Sequence, residues 1–146
     1  MSYIENKTKE FGIKLIMSTE LKDKENGYIE YNKDTKEFSI IINANHGVRR
    51  QNFTMAHELA HYVLHQDIVR KKGQLDRDTS KQYTDEERLL DREANIWGAN
   101  VLMPLQAIRD IIFLNNLDKN NPEHIKQIAD RLEVSEEALR LQMRNL

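Results

Sequence analysis

The sequence has no cysteine, only two prolines and only five glycines. Without cysteine there is no disulfide framework, no thiolate nucleophile and no Cys-ligated zinc or iron–sulfur site. The scarcity of Pro and Gly excludes collagen-like and low-complexity chains, and 39% hydrophobic with 32% charged residues fits a soluble globular protein. Neither sign of charge dominates. Twenty-two Lys+Arg stand against 24 Asp+Glu, for a net charge of −2, so no basic excess points to nucleic acid or an anionic membrane as the main partner. Long apolar runs are also missing. The longest, around Ile108–Leu114, is interrupted by charge and falls short of the roughly 20 residues that cross a bilayer. The start, Met1-Ser-Tyr-Ile-Glu-Asn-Lys7, lacks the basic-then-apolar layout of a signal peptide. The expected location is the cytoplasm.

What is present is enough for one compact domain, or one domain with a small helical appendage: 146 residues and no internal repeat. A short polar helix is expected over Tyr3–Phe11. Three strands follow, at Ile13–Met17, Gly27–Tyr31 and the β-branched Phe38–Ile42, giving a small three-stranded sheet. From Gln51 the pattern becomes a helix with few polar positions, which must be buried on most sides. Gln66–Tyr83 reads as a charged loop that offers almost nothing to a core and is a candidate gate for a nearby cleft. Thr84 and Glu87 have capping-box spacing and open a helix running towards Pro104. Helices are expected over Leu105–Leu114, Glu123–Leu132 and Glu136–Arg144. The fold class is therefore α+β, with a core over residues 1–104 and a helical segment over 105–146.

Three of the five histidines fall within His57-Glu-Leu-Ala-His-Tyr-Val-Leu-His65. His57 and His61, four apart on a helix, project from one face and can grip a single metal ion. Glu58 lies about 100° around the axis, placed to reach a water on that ion without ligating it. Both histidines interrupt an otherwise apolar helix, and a buried imidazole needs a partner.

A catalytic zinc takes three protein ligands and keeps one position open. Candidates for the third are His46, His65, His124 and the downstream carboxylates. On the helix after Thr84, Leu90, Glu93, Trp97 and Val101 form a stripe at helical spacing. Glu93 is thus expected on the core side and Asp91 on the solvated side. Glu86 shares the stripe one turn back, so periodicity leaves both glutamates open. His65, two turns from His57, is expected to pack or to support a ligand, and His46 and His124 to be ordinary surface or loop residues.

Phe53-Thr-Met-Ala-His-Glu-Leu-Ala-His-Tyr-Val-Leu-His65, followed by Asp91-Arg-Glu-Ala-Asn-Ile-Trp-Gly-Ala-Asn-Val-Leu-Met-Pro104, resembles the ImmA/IrrE family of zinc metallopeptidases over roughly residues 10–104. The resemblance implies a zincin-like fold with the sheet packed on the His-Glu-x-x-His helix and one zinc ion per chain. It assigns His57, His61 and Glu93 as metal ligands and Glu58 as the catalytic glutamate. Ala60 stands where the family usually has glycine, and Ile96-Trp97-Gly98 replaces a phenylalanine-alanine pair. Implied with it is regulatory proteolysis, since relatives are encoded beside helix-turn-helix repressors of phages and mobile elements and inactivate them by cutting.

Glu58 would accept a proton from water and return it to the leaving amine, with Tyr28, Tyr31, Tyr83 or His65 assisting at the oxyanion. The tail from Ile125 has the skeleton of a helix-turn-helix unit. Its second helix nonetheless opens Ser135-Glu-Glu, which would repel phosphate, so packing or partner docking is expected rather than direct DNA binding. The competing reading is a non-proteolytic anti-repressor with a structural or vestigial zinc site.

Overall fold

A computed structural model describes residues 2–77 and 83–146. The order is α1 (Tyr3–Glu10), β1 (Lys14–Ser18), β2 (Gly27–Asn32), β3 (Glu37–Asn43), α2 (Val48–Leu64), α3 (Gln66–Lys72), β4 (Gln74–Leu75), α4 (Asp85–Leu102), α5 (Leu105–Leu114), α6 (Pro122–Leu132) and α7 (Glu136–Met143). The α+β class stands. The sheet, however, has four strands in the order β1-β3-β2-β4.

β2 and β3 form a hairpin because Asn32 Oδ1 accepts from the backbone N–H groups of Asp34 and Thr35 and turns the chain. Their antiparallel register opposes Ile29 to Ile40, and β1 joins β3 in parallel with Leu15 opposite Ile40. Ile29, Ile40 and Ile42 are completely buried and share one cluster with Met55, Ala56 and Leu59 of α2. Burying side chains of this size stabilises by about 1.5–3 kcal/mol each, and it fixes α2 against the sheet.

The segment after α2 departs from expectation. Its first half is folded: α3 ends at Gly73, whose φ of 86° is the left-handed geometry of a helix C-cap, and whose N–H donates to Val69 O at 2.7 Å. The chain then pairs with β2 through Ile29↔Leu75 and Glu30↔Gln74. Val69 and Leu75 are buried in the main cluster, so two apolar residues among many charges are enough to anchor it. The rest of the expected gate, residues 78–82, lies outside the described residues.

α4 begins with the expected capping box between Thr84 and Glu87 and packs along α2. Gly98 makes this approach possible. A Cβ there would sit 3.3–3.4 Å from Ala56. Met103, Ile108, Ile125, Ile128, Ala129, Val134 and Leu139 form a second apolar cluster. Hydrogen bonds join it to the first part: Arg49 Nη1 to Val134 O (2.9 Å), and Gln142 Nε2 to Asn100 Oδ1 and Met103 O (both 2.9 Å). No helix among the described residues is long and apolar enough to span a membrane.

Candidate metal centre

The site is built where α2 and α4 face each other below the end of β4. His61 is 1% exposed and Glu58 likewise 1%, while the His57 side chain is 11% exposed. The Nε2 atoms of His57 and His61 both point at one atom, Asp76 Oδ2, at 2.9 Å each. Asp91 Oδ1 stands 3.3 Å from His57 Nε2. One potential ligand atom from each of His57, Glu58, His61 and Asp76 lies within 4.8 Å of the others.

The outward ring nitrogens are held as well. His57 Nδ1–H donates to Asn95 Oδ1 at 2.6 Å, and the Asn95 amide donates to Asp91 Oδ2 at 3.4 Å. His61 Nδ1 meets His65 Nδ1 at 2.8 Å, and His65 Nε2 meets Glu93 Oε1 at 3.4 Å. Burial, with the adjacent His61, lowers the His65 pKa. A neutral His65 that donates to Glu93 through Nε2 must accept through Nδ1. His61 then donates through Nδ1, and its Nε2 faces the site.

Charge is concentrated here. Burial, reinforced by the Asp76 charge, pushes Glu58 well above the ordinary carboxylate range. Burial also acts to raise Asp76, but hydrogen bonds with Glu58, His57 and His61 outweigh it and hold that carboxyl far below. For His57, burial acts downward but is overcome by Asp76, Asp91 and Asn95, so its pKa is raised. Tyr83 is pushed up to about 12 by burial and by the surrounding carboxylates. A cleft of about 260 Å³ opens onto the cluster, lined by Asn26, Gly27, Phe53, Thr54, His57, Glu58, Asp76, Tyr83, Asp91 and Asn95.

His57, Glu58 and His61 are brought together as the spacing predicts. Glu93 is not: its side chain is 47% exposed and its carboxylate is on His65. The expected solvation of Asp91 is corrected too, because that side chain is only 34% exposed and faces His57. A stripe drawn through the large residues Leu90, Trp97 and Val101 puts Glu93 on the core side. The buried line of α4 instead runs through Leu90, Ala94 and Gly98, which places Asp91 and Asn95 on the flank towards His57 and Glu93 on the other. Spacing of Asp91, Ala94, Asn95 and Gly98 at i, i+3, i+4 and i+7 was the available signal. Asp76 had no sequence signal. His46, expected as an ordinary surface or loop residue, lies in the loop between β3 and α2 but is buried there, with Nε2 2.8 Å from Asp23 O. Among the proposed oxyanion partners, Tyr83 lines the cleft, whereas Tyr31 packs on Phe38 and Tyr28 lies under Arg77.

The donor set of two imidazoles and nearby carboxylates is the kind that holds zinc. Glu58 Oε2, buried and without a hydrogen-bond partner, marks a place prepared for a group that the protein does not itself supply. A family model for the IrrE N-terminal-like domain, Peptidase_M78, matches residues 8–144. The chain belongs to this family. The M78 match covers both the site and the helices after Pro104. Among solved structures, a Mycobacterium tuberculosis transcriptional regulator is similar to this M78 chain, with a TM-score of 0.58 and 21% identity. The similarity covers 93% of the present chain and 38% of that one, and at this identity it speaks for the fold. No curated protein matches.

Proposed function

We propose that the protein is a zinc-dependent metalloendopeptidase of zincin-like fold, one metal ion per chain, acting on a cytoplasmic helix-turn-helix transcriptional repressor. The observation that carries this reading is the convergence of two oriented imidazole Nε2 atoms beside a buried glutamate with an unpartnered oxygen. His57 and His61 are two of the proposed ligands. For the third, the position of Asp91 favours it over Glu93: it is fixed on α4 beside His57, with Asn95 bonded to both residues. Glu93 is then the outer end of the chain that sets the His65 and His61 tautomers.

A bound zinc ion would supply Lewis acidity, lowering the pKa of water towards about 7 and polarising a peptide carbonyl. The chain's own residues do the rest. Glu58, placed beside both imidazoles with one oxygen unpartnered, takes the proton of the attacking water and returns it to the leaving amine. Tyr83 keeps its phenolic proton at neutral pH and can donate to the carbonyl oxygen as that gains charge. Residues 1–104 form the proposed peptidase core, and 105–146 the helical segment that packs on it or docks the substrate. Membership of the family, with the regulatory proteolysis that the resemblance implies, supports a regulatory substrate.

One observation favours the second reading, a zinc-holding anti-repressor that binds without cutting. With Asp76 added, the site has four protein donors, the number typical of a closed structural zinc. Zinc titration of chelator-stripped protein tests the site. One ion per chain is expected, with Asp91→Ala weakening binding by at least about 100-fold and Glu93→Ala by about 10-fold, in the range of outer-shell changes; the reverse order would restore Glu93. Repressor cleavage that disappears in Glu58→Gln, with zinc retained, supports the enzyme. Repressor inactivation that survives Glu58→Gln supports the anti-repressor.

A further inference from the structure

Resting on the metallopeptidase reading, we infer that Asp76 is a displaceable fourth protein ligand, which takes the position the attacking water needs and so holds the site in a self-blocked state. A nucleophilic water in such a site must satisfy two conditions. It must lie at the metal, and within hydrogen-bond reach of Glu58. In this protein the atom that meets both imidazoles is Asp76 Oδ2, at 2.9 Å from each Nε2, and the same carboxyl is hydrogen-bonded with Glu58. Substrate water and Asp76 therefore compete for one place.

Asp76 differs from the other donors in how it is held. His57, Glu58 and His61 are on α2, and Asp91 is on α4, both long helices locked by packing. Asp76 follows a two-residue strand that pairs with β2 at two positions only. Its φ of 69° lies in the left-handed region, which a non-glycine residue adopts at some cost. Among the described residues, its carboxylate has hydrogen bonds only to the site: His57, His61 and Glu58. The contacts that fix it are thus the ones that a water and substrate would replace. Among the described residues nothing else holds this carboxylate, so it can leave the site while α2 and α4 stay packed.

Cobalt(II) added alone to the full metal-stripped chain tests this, because its visible spectrum reports the ligands directly. The parent protein should bind one ion with a spectrum constant between about pH 6 and 9. Asp76→Ala should bind within about tenfold of the parent, with a spectrum that acquires a pH-dependent transition around neutrality as water enters. Asp91→Ala, run beside it, should lose at least about 100-fold in affinity. Asp76→Asn, of the same shape, provides the measurement if circular dichroism shows the alanine variant unfolded. An unchanged spectrum in both Asp76 variants would mean that Asp76 never touches the metal and would overturn the inference. So would a loss of affinity as large as that of Asp91→Ala, which would make Asp76 an obligatory ligand. A parent protein that binds no cobalt overturns the metallopeptidase reading itself, and the inference with it.

Discussion

Glu58 is the residue at which stability and chemistry oppose each other. Its carboxyl is buried, one oxygen lacks a partner, and its pKa lies well above the ordinary value of 4.5. An unsatisfied buried group of this kind costs roughly 1–3 kcal/mol. In metal-free protein the folded state keeps the Glu58 proton at pH values where the unfolded chain has lost it. Folding therefore binds more protons, and stability falls as pH rises from 4.5 towards the raised value. The raised pKa of His57 acts in the same direction, since its stabilising charge is lost as pH climbs through that value. Asp76 runs the other way: its lowered pKa contributes stability above 3.8 that disappears in more acid solution. Glu58→Gln keeps the shape and an N–H that can donate to Asp76, but cannot ionise. Urea unfolding in chelator should find this variant more stable than the parent at pH 8 by about 1–3 kcal/mol, the gap closing towards pH 4.5. A gap independent of pH would show that ionisation of Glu58 is not its cause.

The α2–α4 pair is the element-scale unit of the site, for it brings His57 and His61 to Asp91 and Asn95. Close approach depends on Gly98, where even a methyl group would press on the Ala56 backbone. Gly98→Val should therefore destabilise by about 1–3 kcal/mol, as overpacking does. It should also weaken zinc binding although residue 98 touches no ligand, because Asp91 and Asn95 lie on the helix it displaces. Calorimetry with zinc checks this; full affinity in a destabilised variant would separate packing from the site. The same pair shows what could be read beforehand. The helices themselves were legible, since His57 and His61 interrupt an apolar run and Thr84 with Glu87 forms a capping box. Which flank of α4 faces His57 was not, because hydropathy ranks Trp97 above Gly98 whereas close helix packing favours the smaller residue. Asp76 was hidden for another reason. Its place depends on Gly73 ending α3 and on two residues pairing with β2, neither of which leaves a periodic trace.

At the scale of the whole molecule, the question is whether the helices after Pro104 answer to the site. Two apolar clusters exist, and Leu102 packs against both. Arg49 at the start of α2 bonds Val134 O and pairs with Asp130, Asn52 donates to Glu133 O at 3.3 Å, and Gln142 reaches Asn100 and Met103 O. The Arg49–Asp130 pair is half exposed and by itself worth about 0–1 kcal/mol. Gln142 is different, since it is buried and satisfies a buried backbone carbonyl at the end of α4. Loosening α7 would leave that carbonyl without its side-chain donor. The two clusters should therefore unfold together. Leu139, completely buried in the second cluster, offers the test. Leu139→Ala should cost about 2–5 kcal/mol. Trp97, the single tryptophan, packs against the first cluster and so reports on the part that carries the site. If the clusters are coupled, the Trp97 fluorescence and far-UV transitions of the variant shift by the same amount and still coincide. A Trp97 transition that stays in place while helical signal is lost earlier would mean that the site folds independently of the tail, leaving residues 105–146 free to move with a docked partner.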